Sequence, residues 1–197
     1  MKKDAPHIIS SLKEELQGET DEISRKTIER DIKHFEMVSR ESFDFRLPET
    51  TFEGSLELIG ASRKVVLLGL INGHTDSDII LYLPEEKVAF MGDLLFTGTH
   101  PWLGAGDPEC WVNTIHDFKK YDADILVPGH GTAGSMNELL LIEEYIKNIA
   151  AVAVGINEGR LKLEGISEKI LPQPFNGWKG DKFLPNLNFY SEYLKKA

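Results

Sequence analysis

Three apolar runs, each followed by a histidine or an aspartate, limit the folds open to this chain more than any other feature of its sequence. The runs are KVVLLGLI at 64–71, EEKVAFM at 85–91 and DADILVP at 122–128, and the residues that follow them are His74, Asp93 and His130. Short apolar runs bounded by glycine and turn residues predict β-strands. Side chains at the ends of adjacent strands are held on a rigid scaffold, so these three residues are candidate metal ligands.

The same pattern predicts four strands joined by short turns, then a helix and a fifth strand. The predicted strands cover 55–60, 64–71, 78–83, 88–91 and 124–127. The third of them, DIILYL, is nearly all apolar, which predicts that it is buried on both faces. A further short apolar run, HIIS at 7–10, is a strand candidate near the N-terminus.

Apolar residues at helical spacing predict the helices. Ile28, Ile32 and Phe35 lie on one face of the segment 24–42. Asp107 before Pro108 predicts a helix start, and Ser135 before MNE fits a capping box. The predicted helices cover 11–17, 24–42, 107–121, 135–159, 166–170 and 186–196.

Composition predicts one globular domain spanning 1–197. The net charge of −10 argues against nucleic acid and against an anionic membrane as partners. Cys110 is the only cysteine, which excludes an internal disulfide and a cysteine-cluster zinc site. The opening lysines are not followed by an apolar segment, and no apolar run reaches about 20 residues, so we expect a cytoplasmic protein without a membrane span.

The stretch 72–96 (NGHTDSDIILYLPEEKVAFMGDLLF), followed by DADILVPGHG, resembles the metallo-β-lactamase-fold superfamily of metal-dependent hydrolases. The resemblance implies an α/β fold of the αββα sandwich type. It also implies that His74 binds a first metal, that Asp93 bridges two metals and that His130 binds the second. The implied cofactor is zinc or another divalent metal, and the implied reaction is attack by zinc-bound hydroxide on an ester, lactone, thioester or amide.

The sequence departs from this family at the HxHxDH motif, which lies upstream of these residues in family members. The six histidines of the sequence are His7, His34, His74, His100, His116 and His130. No two of them are two residues apart and none follows an aspartate, so the motif is absent. We therefore expect an αββα sandwich that is N-terminally incomplete, lacking the first strands and four metal ligands.

Two consequences for the metal follow from that absence. In the family geometry each ion would keep one imidazole and the shared Asp93 carboxylate, whereas a catalytic zinc usually has three protein ligands, so binding should be weak. The alternative is a single ion held by His74, Asp93 and His130 together.

Two functions remain open on these grounds. The first is a hydrolase of a small-molecule substrate, with reduced or no activity in this form and with catalytic residues other than the metal ligands unassigned. The second is a non-catalytic remnant, or a binding or assembly module, that pairs with a partner supplying the missing strands. Missing strands would expose a sheet edge near 55–71 or 7–10, and such an edge favours self-association.

Several other polar residues have a functional and an ordinary interpretation. Thr75 and Ser77 either support His74 or form a turn, and Asp76 and Asp78 are predicted to be surface residues. His100 and Trp102 either line a substrate pocket or belong to a surface loop. The remaining predictions are ordinary ones: His34 and His116 are solvated, His7 is structural, and Cys110 is not a nucleophile.

Overall fold

The structure is a computed structural model that describes residues 3–20, 22–44 and 46–195. It divides the chain into two compact units, Met1–Thr51 and Phe52–Ala197. Each unit is described by itself below. The single-domain interpretation of 1–197 stays a prediction.

The first unit contains two helices, α1 (Ala5–Gly18) and α2 (Glu22–Val38), which pack against each other. In α2, Ile28 and Ile32 are buried, which confirms the predicted apolar stripe. The strand predicted at 7–10 is wrong, because these residues lie inside α1. Pro6 occupies the first turn of that helix, and the run HIIS was too short to distinguish a strand from a helix by periodicity. The predicted sheet edge at 7–10 is therefore also wrong.

The second unit is built on a five-stranded sheet with the strand order β1-β2-β3-β4-β5. The strands are β1 (Ser55–Ile59), β2 (Lys64–Ile71), β3 (Ser77–Leu83), β4 (Val88–Phe96) and β5 (Ile125–His130). The first four form the predicted antiparallel meander, and β5 pairs in parallel with β4 after a helical crossover. The α/β class is confirmed, and the part of the chain that the structure describes contains one sheet of the sandwich.

The helices of this unit are α3 (Pro108–Phe118), α4 (Met136–Asn157) and α5 (Phe183–Tyr193), with short 3₁₀ turns at Glu168–Ile170 and Phe175–Gly177. Both predicted helix starts are confirmed. The Asp107 carboxylate accepts from the backbone N–H groups of Glu109 and Cys110, both at 2.9 Å. Ser135 and Glu138 form the capping box, in which the Ser135 N–H donates to Glu138 Oε2 at 2.7 Å.

The core lies between one face of the sheet and helices α3 and α4. Ile80, Ala89 and Leu126 of the sheet are fully buried there, together with Trp111 of α3 and Ile142 of α4. The prediction that 78–83 is buried on both faces is wrong: Ile80 is buried, but its neighbour Ile79 is 51% exposed. Alternate residues of a strand face opposite sides, and the helices of this core cover one side.

Strand β4 is longer than predicted and contains Asp93, which was expected just beyond its end. Its pairing with β5 shifts register between Phe90 and Gly92, and again between Gly92 and Phe96. Such irregularities bend a strand and redirect its side chains. Asp93 lies within this irregular segment, beside the end of β5 that carries His130. Among the residues that the structure describes, no helix is long and apolar enough to cross a membrane.

Candidate metal centre

His74 follows β2 in a turn that is closed by hydrogen bonds. The Thr75 hydroxyl lies 2.8 Å from Asp78 Oδ1, and the Thr75 N–H donates to Asp78 Oδ2 at 3.2 Å. Thr75 therefore has the turn role, as one of its two interpretations predicted. Asp76 is exposed as predicted, and Asp78 is partly exposed and also anchors this turn through its carboxylate.

The His74 ring is held between two aromatic side chains of the core. It meets Trp111 edge-on at 5.3 Å and Phe96 at 5.7 Å between ring centroids. Burial lowers the pKa of His74, and the nearby charges of Asp93 and Asp78 oppose that shift. The neutral imidazole that burial favours is the form that can bind a metal.

Asp93 and His130 are neighbours across the β4–β5 pair. Asp93 Oδ1 lies 3.6 Å from His130 Nε2, and the His130 ring stacks on Phe96 with centroids 5.0 Å apart. The backbone of His130 is fixed as well, because its carbonyl accepts from the Thr97 N–H at 3.0 Å. Phe96 thus contacts both candidate histidines and sets their orientation relative to each other.

Two glycines allow the close approaches at this site. A Cβ atom at Gly129 would lie 1.9 Å from Asp93 Oδ1, so only glycine leaves room for the carboxylate. A Cβ atom at Gly106 would lie 2.3 Å from the Gly73 carbonyl oxygen and 2.8 Å from the His74 carbonyl carbon. The loop after β4 therefore packs directly on the backbone that carries His74.

A pocket of about 290 Å³ brings the three candidate ligands together. Its lining includes His74, Asp93 and His130, and also His100, Trp102 and Lys182. A mixture of apolar walls with a few convergent polar groups is typical of small-molecule sites.

These residues provide the right donors for zinc but do not form a complete zinc site. Two imidazoles and a carboxylate are ordinary zinc ligands. Within 3–20, 22–44 and 46–195, however, no group of three or more His, Cys, Asp or Glu side chains is arranged to hold one ion. The types of side chain therefore fit a metal, but too few of them converge on one point. This argues against a single ion held by His74, Asp93 and His130 together.

Comparison with known proteins identifies the family. The family model described as "Metallo-beta-lactamase superfamily" matches residues 3–130 of the chain. The chain belongs to the metallo-beta-lactamase superfamily. Members of this superfamily generally bind divalent metals, usually zinc.

Individual relatives of this superfamily member resemble it only in part. A linear primary-alkylsulfatase of Pseudomonas sp. (strain ATCC 19151) is 26% identical over 160 residues, covering 77% of this chain and 29% of the relative. The alpha subunit of a 2,4-dinitroanisole O-demethylase of Nocardioides sp. (strain JS1661) is 30% identical over 102 residues, covering 48% of this chain and 30% of the relative. The chain thus spans about 30% of the length of these curated relatives.

A solved structure supports the fold assignment. The stereoselective inverting sec-alkylsulfatase Pisa1 from Pseudomonas sp. superposes with a TM-score of 0.54 at 16% identity. The match covers 73% of this chain and 26% of that chain. At this identity the likeness concerns the fold alone.

His100 is part of a buried polar network at the edge of the pocket in this superfamily member. The side chain is 3% exposed, and its Nδ1 lies 3.1 Å from the Tyr145 hydroxyl. The Asn186 amide donates to that hydroxyl at 3.0 Å and to the Pro101 carbonyl at 2.7 Å, and its Oδ1 accepts from the Leu103 N–H at 3.0 Å. His100 therefore lines the pocket, and its surface-loop interpretation is wrong.

Asn186 ties the loop after β4 to α4 and α5, and its replacement tests that role. We expect Asn186→Leu to lower the free energy of unfolding by about 2 kcal/mol, because it leaves the buried Leu103 N–H and Pro101 C=O without partners. Chemical denaturation measures the loss. Asn148→Leu is the matched control, since its amide makes an exposed hydrogen bond to the Glu144 carbonyl. Equal losses in both variants would contradict this role.

The same network makes stability depend on pH. Burial lowers the pKa of His100 from the ordinary value of 6.5, so the folded chain resists protonation there. As the pH falls below about 6.5 the unfolded chain takes up the proton first, and the free energy of unfolding decreases. Between neutral and mildly acidic pH, the free energy of unfolding of His100→Gln should decrease less steeply with falling pH than that of the wild-type chain. Denaturation at several pH values measures these slopes. Identical slopes would contradict the prediction.

The other sequence candidates lie outside the pocket lining. His34 and His116 are exposed as predicted, and His116 Nε2 lies 3.0 Å from Glu143 Oε2. Burial raises the pKa of the Cys110 thiol, which agrees with the prediction that it is not a nucleophile. Sequence reasoning missed Tyr145 and Asn186, because each reads as a helix residue until the loop at 100–103 is placed against it.

Proposed function

We propose that this chain carries part of the active site of a metal-dependent hydrolase, with His74, Asp93 and His130 as metal ligands. The observation that carries the proposal is the shared pocket: ligand-type side chains from β4, from the end of β5 and from the turn after β2 line one cavity in a metallo-beta-lactamase superfamily member. Because these donors fall short of a full coordination set, we further propose that the remaining ligands lie outside these 197 residues.

The pocket lining supports a substrate with an apolar portion. Phe96 and Trp102 provide apolar walls, and Lys182 lies in the lining together with Asp181, its ion-pair partner at 2.8 Å. Esters, lactones, thioesters and amides remain the candidate classes. The similarity to a linear primary-alkylsulfatase adds sulfate esters, whose apolar chain would match the apolar walls. The single cysteine agrees with the reducing cytoplasm that we propose as its location.

Metal content and activity measured on matched variants test this proposal. The wild-type chain should bind zinc weakly, and Asp93→Asn or His130→Ala should reduce that binding at least about tenfold. His116→Gln is the control, because this histidine is exposed and pairs with Glu143 instead of lining the pocket. A panel of a linear alkyl sulfate, an aryl ester, a lactone and a thioester should show weak hydrolysis that is lost in Asp93→Asn. Zinc content that is unchanged in His130→Ala would contradict the assignment of His130 as a metal ligand.

A second candidate is a binding or assembly module without catalysis, pairing with a chain that supplies further strands. The observation that favours it is the lack of a three-ligand group within 3–20, 22–44 and 46–195. Two measurements distinguish this candidate from the hydrolase. If the chain is a binding module, it should not hydrolyse the substrate panel at any zinc concentration, and it should form a stable complex in solution. Turnover that depends on Asp93 would exclude it.

A further inference from the structure

A groove lies between α3 and the β1 edge of the sheet, on the side of the sheet that the helices cover. It consists of two adjoining cavities of about 270 and 650 Å³. Both cavities are lined by Gly54, Gly69, Leu70, Thr114 and Asp117, and we call their combined surface the α3 groove. Among the described residues, it shares no lining side chain with the candidate metal pocket. The α3 groove is therefore a separate candidate site within the second compact unit.

Backbone contacts fix the two walls of the α3 groove. The Gly69 N–H donates to the Gly54 carbonyl at 2.7 Å, which holds the segment 52–54 against β2 as one wall. A Cβ atom at Gly69 would lie 3.2 Å from Phe52 Cε2, so this wall packs directly on the strand. The opposite wall is α3, whose start is capped by Asp107. A groove with fixed walls loses little conformational entropy when it binds a ligand.

The smaller cavity provides an apolar surface. Leu68 and Ile80 of the sheet and Phe118 of α3 line it, and each of them is at most 7% exposed. The Tyr121 ring stacks on Phe118 with centroids 5.3 Å apart and continues this surface beyond the end of the helix. Apolar and aromatic walls of this kind favour the apolar part of a small molecule.

The larger cavity is polar along α3. One face of that helix lines it, at i, i+3, i+4 and i+7 spacing, with Cys110, Asn113, Thr114 and Asp117. Thr114 is 8% exposed, and its hydroxyl has no hydrogen-bond partner in the part of the chain that the structure describes. A buried hydroxyl without a partner costs free energy, which a ligand that bonds to it would recover. Thr114 therefore points to a ligand in the α3 groove.

The charged side chains of the α3 groove favour a cationic ligand. Glu53 and Asp117 line the larger cavity from its two walls, together with no cationic side chain of the described residues. Neither carboxylate forms an ion pair within 3–20, 22–44 and 46–195. Lys120 lines the smaller cavity, where its ammonium lies 5.5 Å from the centroid of the Tyr121 ring. Because the same ranges contain no group of three or more His, Cys, Asp or Glu side chains that could hold a metal ion, the two carboxylates favour an organic cation.

We propose that the α3 groove binds a small organic ammonium compound, with its apolar body in the smaller cavity and its cationic nitrogen in the larger one. Glu53 and Asp117 attract the nitrogen, and the Thr114 hydroxyl accepts one of its N–H groups. The net charge of −10 attracts the same ligand at longer range. The proposal rests on the groove alone and holds whether or not the chain is a hydrolase.

Titrations of the full chain with phenethylammonium and with hexylammonium, followed by NMR of the backbone amides, test the proposal. We expect the amide signals of the groove to shift together, namely those of Gly54, Gly69, Thr114 and Asp117. Phenethyl alcohol has the same apolar body without the charge, and it should bind at least about tenfold more weakly than phenethylammonium. Added salt should weaken binding of the ammonium, because it screens the two carboxylates.

Three variants locate the ligand in the α3 groove. Asp117→Asn should weaken phenethylammonium binding about three- to tenfold, since it removes one of the two attracting charges. Thr114→Val keeps the shape of the side chain and should weaken binding about threefold, because it removes the accepting hydroxyl. Asp124→Asn is the matched control: this aspartate is also exposed but lies outside the lining of both cavities, so the variant should bind as the wild type does.

Four results would overturn the proposal. They are no shift with either ammonium compound, equal binding of phenethyl alcohol, shifts centred on His74 and His130 instead of the groove, and binding that is unchanged in a folded Asp117→Asn or Thr114→Val variant. If Thr114→Val does not fold, Asp117→Asn decides, because its side chain is exposed. None of these readouts uses zinc or turnover, so a failure of this proposal is distinguishable from a failure of the proposed hydrolase.

Discussion

Replacing Trp111 with alanine is expected to lower the free energy of unfolding by about 3–5 kcal/mol. The side chain is 1% exposed and lies where α3 meets the sheet. Its indole N–H donates to the Leu94 carbonyl at 3.1 Å, so the substitution removes a hydrogen bond as well as packing. The ring also meets His74 edge-on at 5.3 Å. We therefore expect the imidazole of His74 to become more mobile in the variant.

Urea denaturation measures the loss, and a second tryptophan gives the control. Trp102 is partly exposed, lines the pocket and packs on Phe189 with centroids 6.1 Å apart. Trp102→Ala should cost less than half as much, about 1–2 kcal/mol, because less apolar surface is buried there. Trp111→Phe should recover most of the packing and lose only the hydrogen bond. Equal destabilisation by both alanine variants would contradict the proposed position of the core.

Gly129→Ala is expected to weaken zinc binding by about 10–100-fold while the fold persists. The new methyl group would lie 1.9 Å from Asp93 Oδ1 and 3.0 Å from the Gly92 carbonyl carbon, so the carboxylate must move. Displacing it separates Asp93 from His130, which now lies 3.6 Å away. The crowding should also cost about 1–3 kcal/mol of stability.

Isothermal titration with zinc and urea denaturation measure these two effects. Gly177→Ala is the control, because Gly177 is also exposed and a Cβ atom there would meet nothing within 4 Å. That variant should bind zinc as the wild-type chain does. If Gly129→Ala keeps wild-type affinity for zinc, Asp93 is not a ligand in its present position.

The sheet and the position of the candidate ligands could be predicted because both depend on local pattern. Short apolar runs separated by turn residues define β1 to β5, and consecutive antiparallel strands pair with their neighbours. Asp107 and Ser135 cap their helices through residues two or three positions away, so their roles are also visible in the sequence. His74, Asp93 and His130 could be selected as candidate ligands because each comes close to the end of such a run, although Asp93 lies within β4 and His130 is the last residue of β5.

The errors arose where long-range packing decides the outcome. HIIS is compatible with a strand or a helix, and the residues around it made it part of α1. The apolar run of β3 predicted burial on both faces, whereas the helices cover one face and leave Ile79 exposed. Asn186 reaches its partners Leu103 and Pro101 over more than eighty positions of sequence, and no local signal marks such a contact.

A zinc titration of the 197-residue chain followed by NMR of its histidine side chains tests the central claim most directly. If His74, Asp93 and His130 belong to one metal centre, the imidazole signals of His74 and His130 should shift together. Those of His34 and His116 should stay unchanged, and Asp93→Asn should weaken the response at least about tenfold. Zinc that shifts neither signal, or that shifts them independently of Asp93, would contradict the account.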